Sequence, residues 1–229
     1  MIHTSAGDNI DEIENRIEDI FSFALKKRRR NFFVRFDLRF PDDGVVHKES
    51  DIFKKFIQVF IQNQGRNYGD VFYVAVREKA GSISGHFHIF ILYDGRNVRS
   101  SYAPILKAKE LWAYYLSKYL GRKVNAAGLV QYGRPIYWFY PGEVWPYSVP
   151  RPDQSRGVMI TRGSEEFDAH LDFAKRQAFY LAKAYSKASV GKHHHSWRSS
   201  QGIPSRFAPP PPAEEWISPT CLVTRGECF

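Results

Sequence analysis

Cysteine is scarce in this sequence: Cys221 and Cys228 are the two in a chain of 229 residues, and both lie at its far end. Because neither can cross-link the body of the chain, a disulfide framework of the kind that holds small secreted domains is excluded. The pair also lacks the partner residues of a zinc-binding pattern. We therefore expect a protein of a reducing, cytoplasmic compartment.

Long apolar segments are missing as well. The longest runs, such as residues 87–93 (FHIFILY), have the length of a strand, whereas a membrane-spanning helix needs roughly 20 apolar residues. The first residues are acidic and have no apolar core of a signal peptide. The phosphate-binding pattern GxxxxGK[ST] does not occur, so we expect neither a membrane partner nor a fused helicase or ATPase.

Positive charge, by contrast, is plentiful. The chain has 33 Lys and Arg against 24 Asp and Glu, which gives a formal net charge of +9. Such a balance favours a polyanionic partner, most simply nucleic acid. The 18 Phe, 13 Tyr and 5 Trp are enough for a hydrophobic core and for some surface on which bases could stack.

Hydrophobic periodicity predicts a mixture of helices and strands, and the length favours one main domain. We divide the chain into an N-terminal helix with a basic end (1–30), a main domain (31–188) and a proline-containing tail outside the core (189–229). The predicted helices are 8–29, 50–63, 104–120 and 164–187. The predicted strands are 31–41, 70–78, 86–94 and a short one at 136–140.

Two histidines inside a predicted strand are the sharpest local feature. His86 and His88 are separated by one residue, and side chains two apart in a strand lie on the same face. Phe87, Ile89 and Ile91 then pack on the opposite face. Two imidazoles side by side can be ligands of one divalent metal, although two strand histidines without a ligand would show the same pattern.

Glu78 ends the preceding strand and strengthens the metal interpretation. In a hairpin closed by residues 79–85, Glu78 lies opposite His86, so its carboxylate can reach the same face. Two imidazoles and one carboxylate leave positions for water or phosphate oxygens, which suits Mg²⁺ or Mn²⁺. The alternative is a solvated carboxylate at the end of a hairpin.

The predicted helix at 164–187 has two different faces. Phe167, Leu171, Ala174, Ala178, Leu181 and Tyr185 form an apolar stripe, whereas Tyr180 shares the other face with Arg176, Lys183 and Lys187. A tyrosine among cations is placed to attack a phosphodiester, because the cations stabilise the developing negative charge. An amphipathic helix with a solvated basic face is the alternative.

The order of these segments resembles the HUH endonucleases, the family of rolling-circle replication initiators, relaxases and related transposases. A strand with His-hydrophobic-His is followed by a helix with Tyr-x-x-Lys, here His86, His88, Tyr180 and Lys183. The sequences of the motifs are most similar to those of the inovirus gene-two-type replication proteins and their prophage relatives. The segments that carry the similarity are 35–41 (RFDLRFP), 76–78 (VRE), 85–92 (GHFHIFIL) and 180–187 (YLAKAYSK).

The resemblance implies an α+β fold in which a central antiparallel sheet of about five strands is flanked by helices. It also implies metal-dependent, site-specific nicking and joining of single-stranded DNA through a 5′-phosphotyrosine, at the start of rolling-circle replication of a phage or plasmid. His86, His88 and, with more variation across the family, Glu78 would be the metal ligands. Tyr180 would be the nucleophile and Lys183 would assist at the scissile phosphate.

We expect a DNA-binding surface around this site. Its candidates are Arg35 and Asp37, which would contact DNA or the metal shell, together with Arg176, Lys187 and the run Lys26, Lys27, Arg28, Arg29 and Arg30. The run also fits a solvated helix end. For the aromatic residues 137–140 we favour core packing over base stacking, and to His193, His194 and His195 we assign no role.

Single-stranded DNA or a replication-origin hairpin is the expected partner, in a bacterial cytoplasm, with a helicase and polymerase supplied by the host. Two alternatives stay open. The chain could be a basic DNA-binding regulator without catalysis, or an HUH relaxase or transposase. Relaxases often have a third histidine in the motif, where this chain has Phe90.

Overall fold

The computed structural model describes residues 6–41, 49–78, 85–133, 157–186 and 197–204. For 6–10 and 183–186 it describes the backbone and not the side chains. Predictions for the strand at 136–140, the aromatic residues 137–140, Lys187, the histidines 193–195 and both cysteines lie outside the described residues, as does the side chain of Lys183.

The described residues have an α+β fold, as predicted. The helices are α1 (Ala6–Lys27), α2 (Glu49–Tyr68), α3 (Tyr102–Leu120) and α4 (Phe167–Ser186). The strands are β1 (Arg30–Arg39), β2 (Val71–Glu78), β3 (His86–Asp94), β4 (Val130–Tyr132), β5 (Val158–Thr161) and β6 (Trp197–Ser199). Every helix predicted from periodicity is confirmed, as are the three long strands.

Among the described residues the strands form a single six-stranded sheet with the order β4-β1-β3-β2-β6, and β5 pairs with β1 beside β4. All of these pairings are antiparallel. The register places Asp37 of β1 opposite His88 of β3 and Glu78 of β2 opposite His86. The predicted pairing of Glu78 with His86 is therefore confirmed.

Alternation along the strands divides the core into two layers. Phe36, Ile89 and Ala75 face the layer of α2 and α3, where Trp112 is buried. Phe33, Phe90 and Val74 face the opposite layer, which contains α1 and α4. Because side chains alternate across a strand, His86, His88 and Glu78 lie on the α1–α4 side of the sheet.

The predicted helix 50–63 is about one turn shorter than α2 at its C-terminal end. The prediction ended the helix at residue 63, before a polar stretch that contains Gly65, but the helix continues to Tyr68. Gln64 is buried, and its Oε1 accepts a hydrogen bond of 2.9 Å from the Tyr93 hydroxyl. A tertiary partner thus satisfies a polar side chain that periodicity assigns to solvent.

Residues 1–30 and 189–229 were both predicted to lie outside the main domain, and the structure differs for the parts it describes. Ile13, Ile17 and Ile20 of α1 are buried against the sheet together with α4. Strand β6 pairs with β2, and Ile203 is buried in the same layer. A three-residue strand is too short for periodicity to reveal, because its position depends on backbone pairing with β2.

Arg16 of α1 holds this last segment in place. Its guanidinium donates hydrogen bonds to Ser199 Oγ at 3.1 Å, to the Ile203 carbonyl at 2.9 Å and to the Ser200 carbonyl. We expect Arg16→Met to lower the free energy of unfolding by about 2 kcal/mol, because charge-assisted hydrogen bonds contribute more than neutral ones. Urea denaturation would measure the loss. Arg66→Met on the exposed end of α2 is the control, and equal stability of the two variants would contradict the prediction.

None of the helices in the described ranges is long and apolar enough to cross a membrane.

Candidate metal centre and neighbouring tyrosine

A row of ionisable side chains crosses the three central strands at one end of the sheet. Asp37 from β1, His88 and His86 from β3 and Glu78 from β2 are brought together by the antiparallel register. The same face of these strands further along is lined by Phe33, Phe90 and Val74. The polar row therefore lies where the apolar layer beneath α1 and α4 ends.

Three of these side chains converge on one point. Nε2 of His86 lies 3.0 Å from Glu78 Oε2, and Nε2 of His88 lies 2.7 Å from the same oxygen. Ligands at right angles around an octahedral cation, each about 2.1 Å from it, are about 3 Å apart. The donor atoms of Glu78, His86 and His88 lie within 4.8 Å of one another, and this group could hold a metal ion.

Asp37 fixes the orientation of one of the imidazoles. Its Oδ1 lies 2.7 Å from His88 Nδ1, on the side of the ring away from Glu78. A carboxylate behind a histidine selects the tautomer whose Nε2 is available to a metal. Asp37 is therefore a supporting residue of the site, and it is buried rather than part of a DNA-contacting surface.

The two histidines have opposite pKa shifts. Burial lowers the pKa of His86, and the neighbouring His88 lowers it further. Burial also opposes protonation of His88, but hydrogen bonds to Asp37 and Glu78 outweigh it and raise the pKa of that imidazole. The hydrogen bonds to both carboxylates favour the protonated imidazole of His88, and a cation that binds at Nε2 competes with a proton for that nitrogen.

Helix α4 brings Tyr180 to this group. The ring centroids of Tyr180 and His88 are 5.5 Å apart and the rings are nearly perpendicular. On the other face of α4, Ala174, Ala178 and Leu181 are buried in the core, as the predicted apolar stripe requires. Tyr180 is half-buried, and Arg35 of β1 lies beside it, with its Cζ 4.6 Å from the ring centroid. Helical periodicity alone could not reveal this cation, because it comes from a strand; of the helix cations predicted on the same face, the Lys183 side chain and Lys187 lie outside the described residues.

A buried ion pair supports the hairpin from the other face of the sheet. Arg77 of β2 forms a salt bridge with Glu49 at the start of α2, and Glu49 Oε1 accepts a hydrogen bond of 3.1 Å from the Gly85 backbone N–H. Gly85 and Arg77 directly precede His86 and Glu78 in the sequence. Glu49 was not found from the sequence, where it is one of several charged residues before a predicted helix.

Gly85 has little room for a side chain at this point. A Cβ would lie 3.0 Å from both Arg77 Nε and Glu49 Oε2, and 3.3 Å from the Glu78 carbonyl oxygen. We expect Gly85→Ala to shift His86 away from Glu78 and to weaken Mn²⁺ binding by about tenfold, in the range of losses seen when a supporting contact is disturbed. Isothermal titration calorimetry would measure it.

Gly65→Ala is the matched control for that variant. A Cβ at Gly65 meets nothing within 4 Å, and the change from Gly to Ala inside a helix is stabilising by about 1 kcal/mol. Mn²⁺ affinity should be unchanged in this variant. Equal Mn²⁺ affinities of the Gly85→Ala protein and the wild type would show that the ion pair does not position the hairpin.

Most of the predicted DNA-binding residues lie away from this group or are enclosed. Arg30 begins β1, and the polar row is near the opposite end of this strand of 10 residues, a length of about 30 Å at roughly 3.3 Å per residue. Lys26 and Arg29 are exposed at that far end. Lys27 pairs with Asp70 at 2.6 Å, and the buried Arg28 packs on Phe72.

Arg35 and Arg176, the other two predicted DNA-binding cations that the structure describes, are also in contact with protein groups. Arg35 was predicted to contact DNA or the metal shell; its side chain is 5% exposed, which leaves little surface for DNA. Arg176 pairs with Asp172, one turn earlier on α4, at 2.7 Å. Gln177, a buried polar residue on α4, was not predicted as part of the site, although an amide within an otherwise apolar stripe could have signalled it.

The chain is similar to one known family over part of its length. The model of the YagK/YfjJ C-terminal domain matches residues 1–112, a region that contains Asp37, Glu78, His86 and His88 but not Tyr180. The family's description names no activity. Searches of the curated proteins and of the solved structures each gave no match.

Proposed function

We propose that this protein nicks and rejoins single-stranded DNA in a metal-dependent reaction with Tyr180 as the nucleophile. The observation that carries the proposal is the position of Tyr180, whose ring lies 5.5 Å from that of His88 in the Glu78, His86 and His88 group. A nucleophile beside a cluster of metal-ligand side chains, in a chain of net charge +9, is suited to attack on a phosphodiester.

The donor set suits Mn²⁺ or Mg²⁺. Imidazole nitrogens favour Mn²⁺ over Mg²⁺, and the carboxylate suits both. When bound, the cation would supply Lewis acidity at the scissile phosphate and neutralise its charge. Glu78, His86 and His88 would hold it, and Asp37 would keep His88 in the required orientation.

In the proposed reaction the Tyr180 oxygen attacks phosphorus and the bond from phosphorus to the 3′ oxygen breaks. The phenol loses its proton and the departing 3′ oxygen gains one through solvent. The products are a 5′-phosphotyrosine and a free 3′-hydroxyl end. Because the phosphotyrosine bond conserves the energy of the broken phosphodiester bond, a 3′-hydroxyl that arrives later can attack it, release Tyr180 and join the strand.

This chemistry fits the start of rolling-circle replication in a bacterial cytoplasm, with a polymerase that extends the 3′ end. By its resemblance to the HUH pattern, Lys183 would assist at the scissile phosphate. Unwinding would come from a helicase of the host, since the sequence contains no phosphate-binding loop of that type.

A pool of labelled single-stranded oligonucleotides tests the proposal. The protein is incubated with the pool and Mn²⁺ or a chelator, separated in SDS, and the shifted band is digested for mass spectrometry. We expect a Mn²⁺-dependent adduct on the peptide that contains Tyr180. If no adduct forms, the oligonucleotides that bind are isolated, sequenced and tested again. Salt-sensitive binding to these sequences, still without an adduct, would favour a non-catalytic DNA-binding protein.

A further inference from the structure

Arg35 is a buried cation that connects the helix of Tyr180 to the metal-ligand side chains. Its guanidinium carbon lies 4.6 Å from the centroid of the Tyr180 ring. Nη1 donates a 3.4 Å hydrogen bond to Gln177 Oε1, almost one turn earlier on α4. Nη2 lies 3.9 Å from Asp37 Oδ1, the same oxygen that contacts His88.

Helix α4 and Gly133, which directly follows β4, lie against the Arg35 side chain. Its side chain is 5% exposed, and among the described residues its buried Nε has no hydrogen-bond partner. Gly133 lies against it, and a Cβ at that position would come within 2.7 Å of Arg35 Cγ and Nε. A cation is expensive to bury, and replacement of a whole buried ion pair by apolar side chains is often neutral or stabilising, so fold stability alone does not account for an arginine at this position.

The contacts divide into two sets with different consequences. Gln177 and the ring of Tyr180 belong to α4, whereas Asp37 belongs to β1 and orients His88. A planar guanidinium can stack on an aromatic ring and donate in its own plane at the same time. One side chain therefore contacts both the helix of Tyr180 and the polar row.

We propose that Arg35 is a positioning residue that holds the Tyr180 ring against the Glu78, His86 and His88 group, so that the tyrosine is aligned before DNA binds. This inference rests on the proposed function for its catalytic consequence, but the placement of the ring can be tested without catalysis. Lysine would retain the charge of Arg35 and lose the planar stack, whereas methionine would lose both.

The first experiment separates binding from chemistry. With a reactive oligonucleotide, the single-turnover rate of adduct formation should fall about 100-fold in Arg35→Met and about tenfold in Arg35→Lys, since misplacement of a reacting group by about 1 Å can cost about 10²-fold in rate. The dissociation constants for DNA and for Mn²⁺ should stay within about twofold of wild type. A rate in Arg35→Met equal to that of wild type would overturn the proposal.

The second experiment observes the tyrosine directly. The protein is labelled with 3-fluorotyrosine, and the ¹⁹F resonance of Tyr180 is identified by its loss in Tyr180→Phe. We expect Arg35→Met to shift and broaden this resonance in the absence of DNA and metal. Arg39→Met, on the same strand and face, is the control and should leave the resonance in place.

The two experiments distinguish failure of the proposed function from failure of the positioning role of Arg35. If the wild type forms no adduct with any oligonucleotide, the proposed function fails, while the ¹⁹F comparison still decides whether Arg35 positions Tyr180. An unmoved resonance in Arg35→Met rejects the positioning role. Loss of Mn²⁺ binding and of cooperative unfolding in both Arg35 variants would show that Arg35 is a structural residue, and this also rejects the proposal.

Discussion

Replacement of Tyr180 by phenylalanine should reduce the SDS-stable DNA adduct below detection while DNA binding continues. The substitution removes one hydroxyl group and keeps the ring that packs between His88 and Arg35. The fold and the metal-ligand side chains are therefore left intact, and only the nucleophile is lost. Adduct formation is measured on denaturing gels, and binding by fluorescence anisotropy of the same oligonucleotide.

Tyr185→Phe is the matched control, because it removes the same hydroxyl group from another tyrosine of α4. We expect its nicking to be close to that of the wild type. A Tyr180→Phe protein that still forms the adduct would rule out Tyr180 as the nucleophile. Complete loss of activity in a well-folded Tyr185→Phe protein would instead require that tyrosine to be considered.

Removal of a metal-ligand side chain should have the second largest effect. We expect His86→Ala to weaken Mn²⁺ binding by at least about 100-fold, beyond the 10- to 100-fold losses typical of supporting residues, and to abolish Mn²⁺-dependent nicking. His86 is the more exposed of the two imidazoles, at 23% of its side chain against 4% for His88. Its replacement therefore leaves fewer unpaired buried groups than that of His88. Calorimetric titration with Mn²⁺ is the measurement.

Asp37→Asn should give a smaller loss, and the difference between the two variants tests the assigned roles. Asparagine keeps the size of the side chain but weakens its hold on His88 Nδ1, so we expect a loss in Mn²⁺ affinity of about 10- to 100-fold. Asp94→Asn is the control, since Asp94 is also buried and ion-paired but lies at the opposite end of β3 from His86. Unchanged Mn²⁺ affinity in His86→Ala would refute the metal centre, and unchanged affinity in Asp37→Asn would refute the supporting role.

The hydrophobic pattern alone was enough to locate the long elements and the outline of the site. Period-two alternation located β1, β2 and β3, and helical periodicity located α1 to α4, because each of these segments buries one apolar face over many residues. Spacing of two within a strand was enough to place His86 and His88 on one face. The length of the intervening loop then predicted that Glu78 lies opposite His86.

The way in which polar residues from distant parts of the chain are combined depends instead on tertiary contacts. In the sequence, Arg35 and Asp37 are two charged residues of a strand. In the structure, the register with β3 places Asp37 behind His88, and α4 places Tyr180 against Arg35. The basic run at 26–30 is near in sequence to Arg35 but lies toward the other end of β1. Strand β6 joins the sheet through hydrogen bonds of its backbone to β2. Local periodicity records which side of a segment is apolar, whereas these contacts depend on strand register and helix docking, which arise from interactions between segments far apart in the chain.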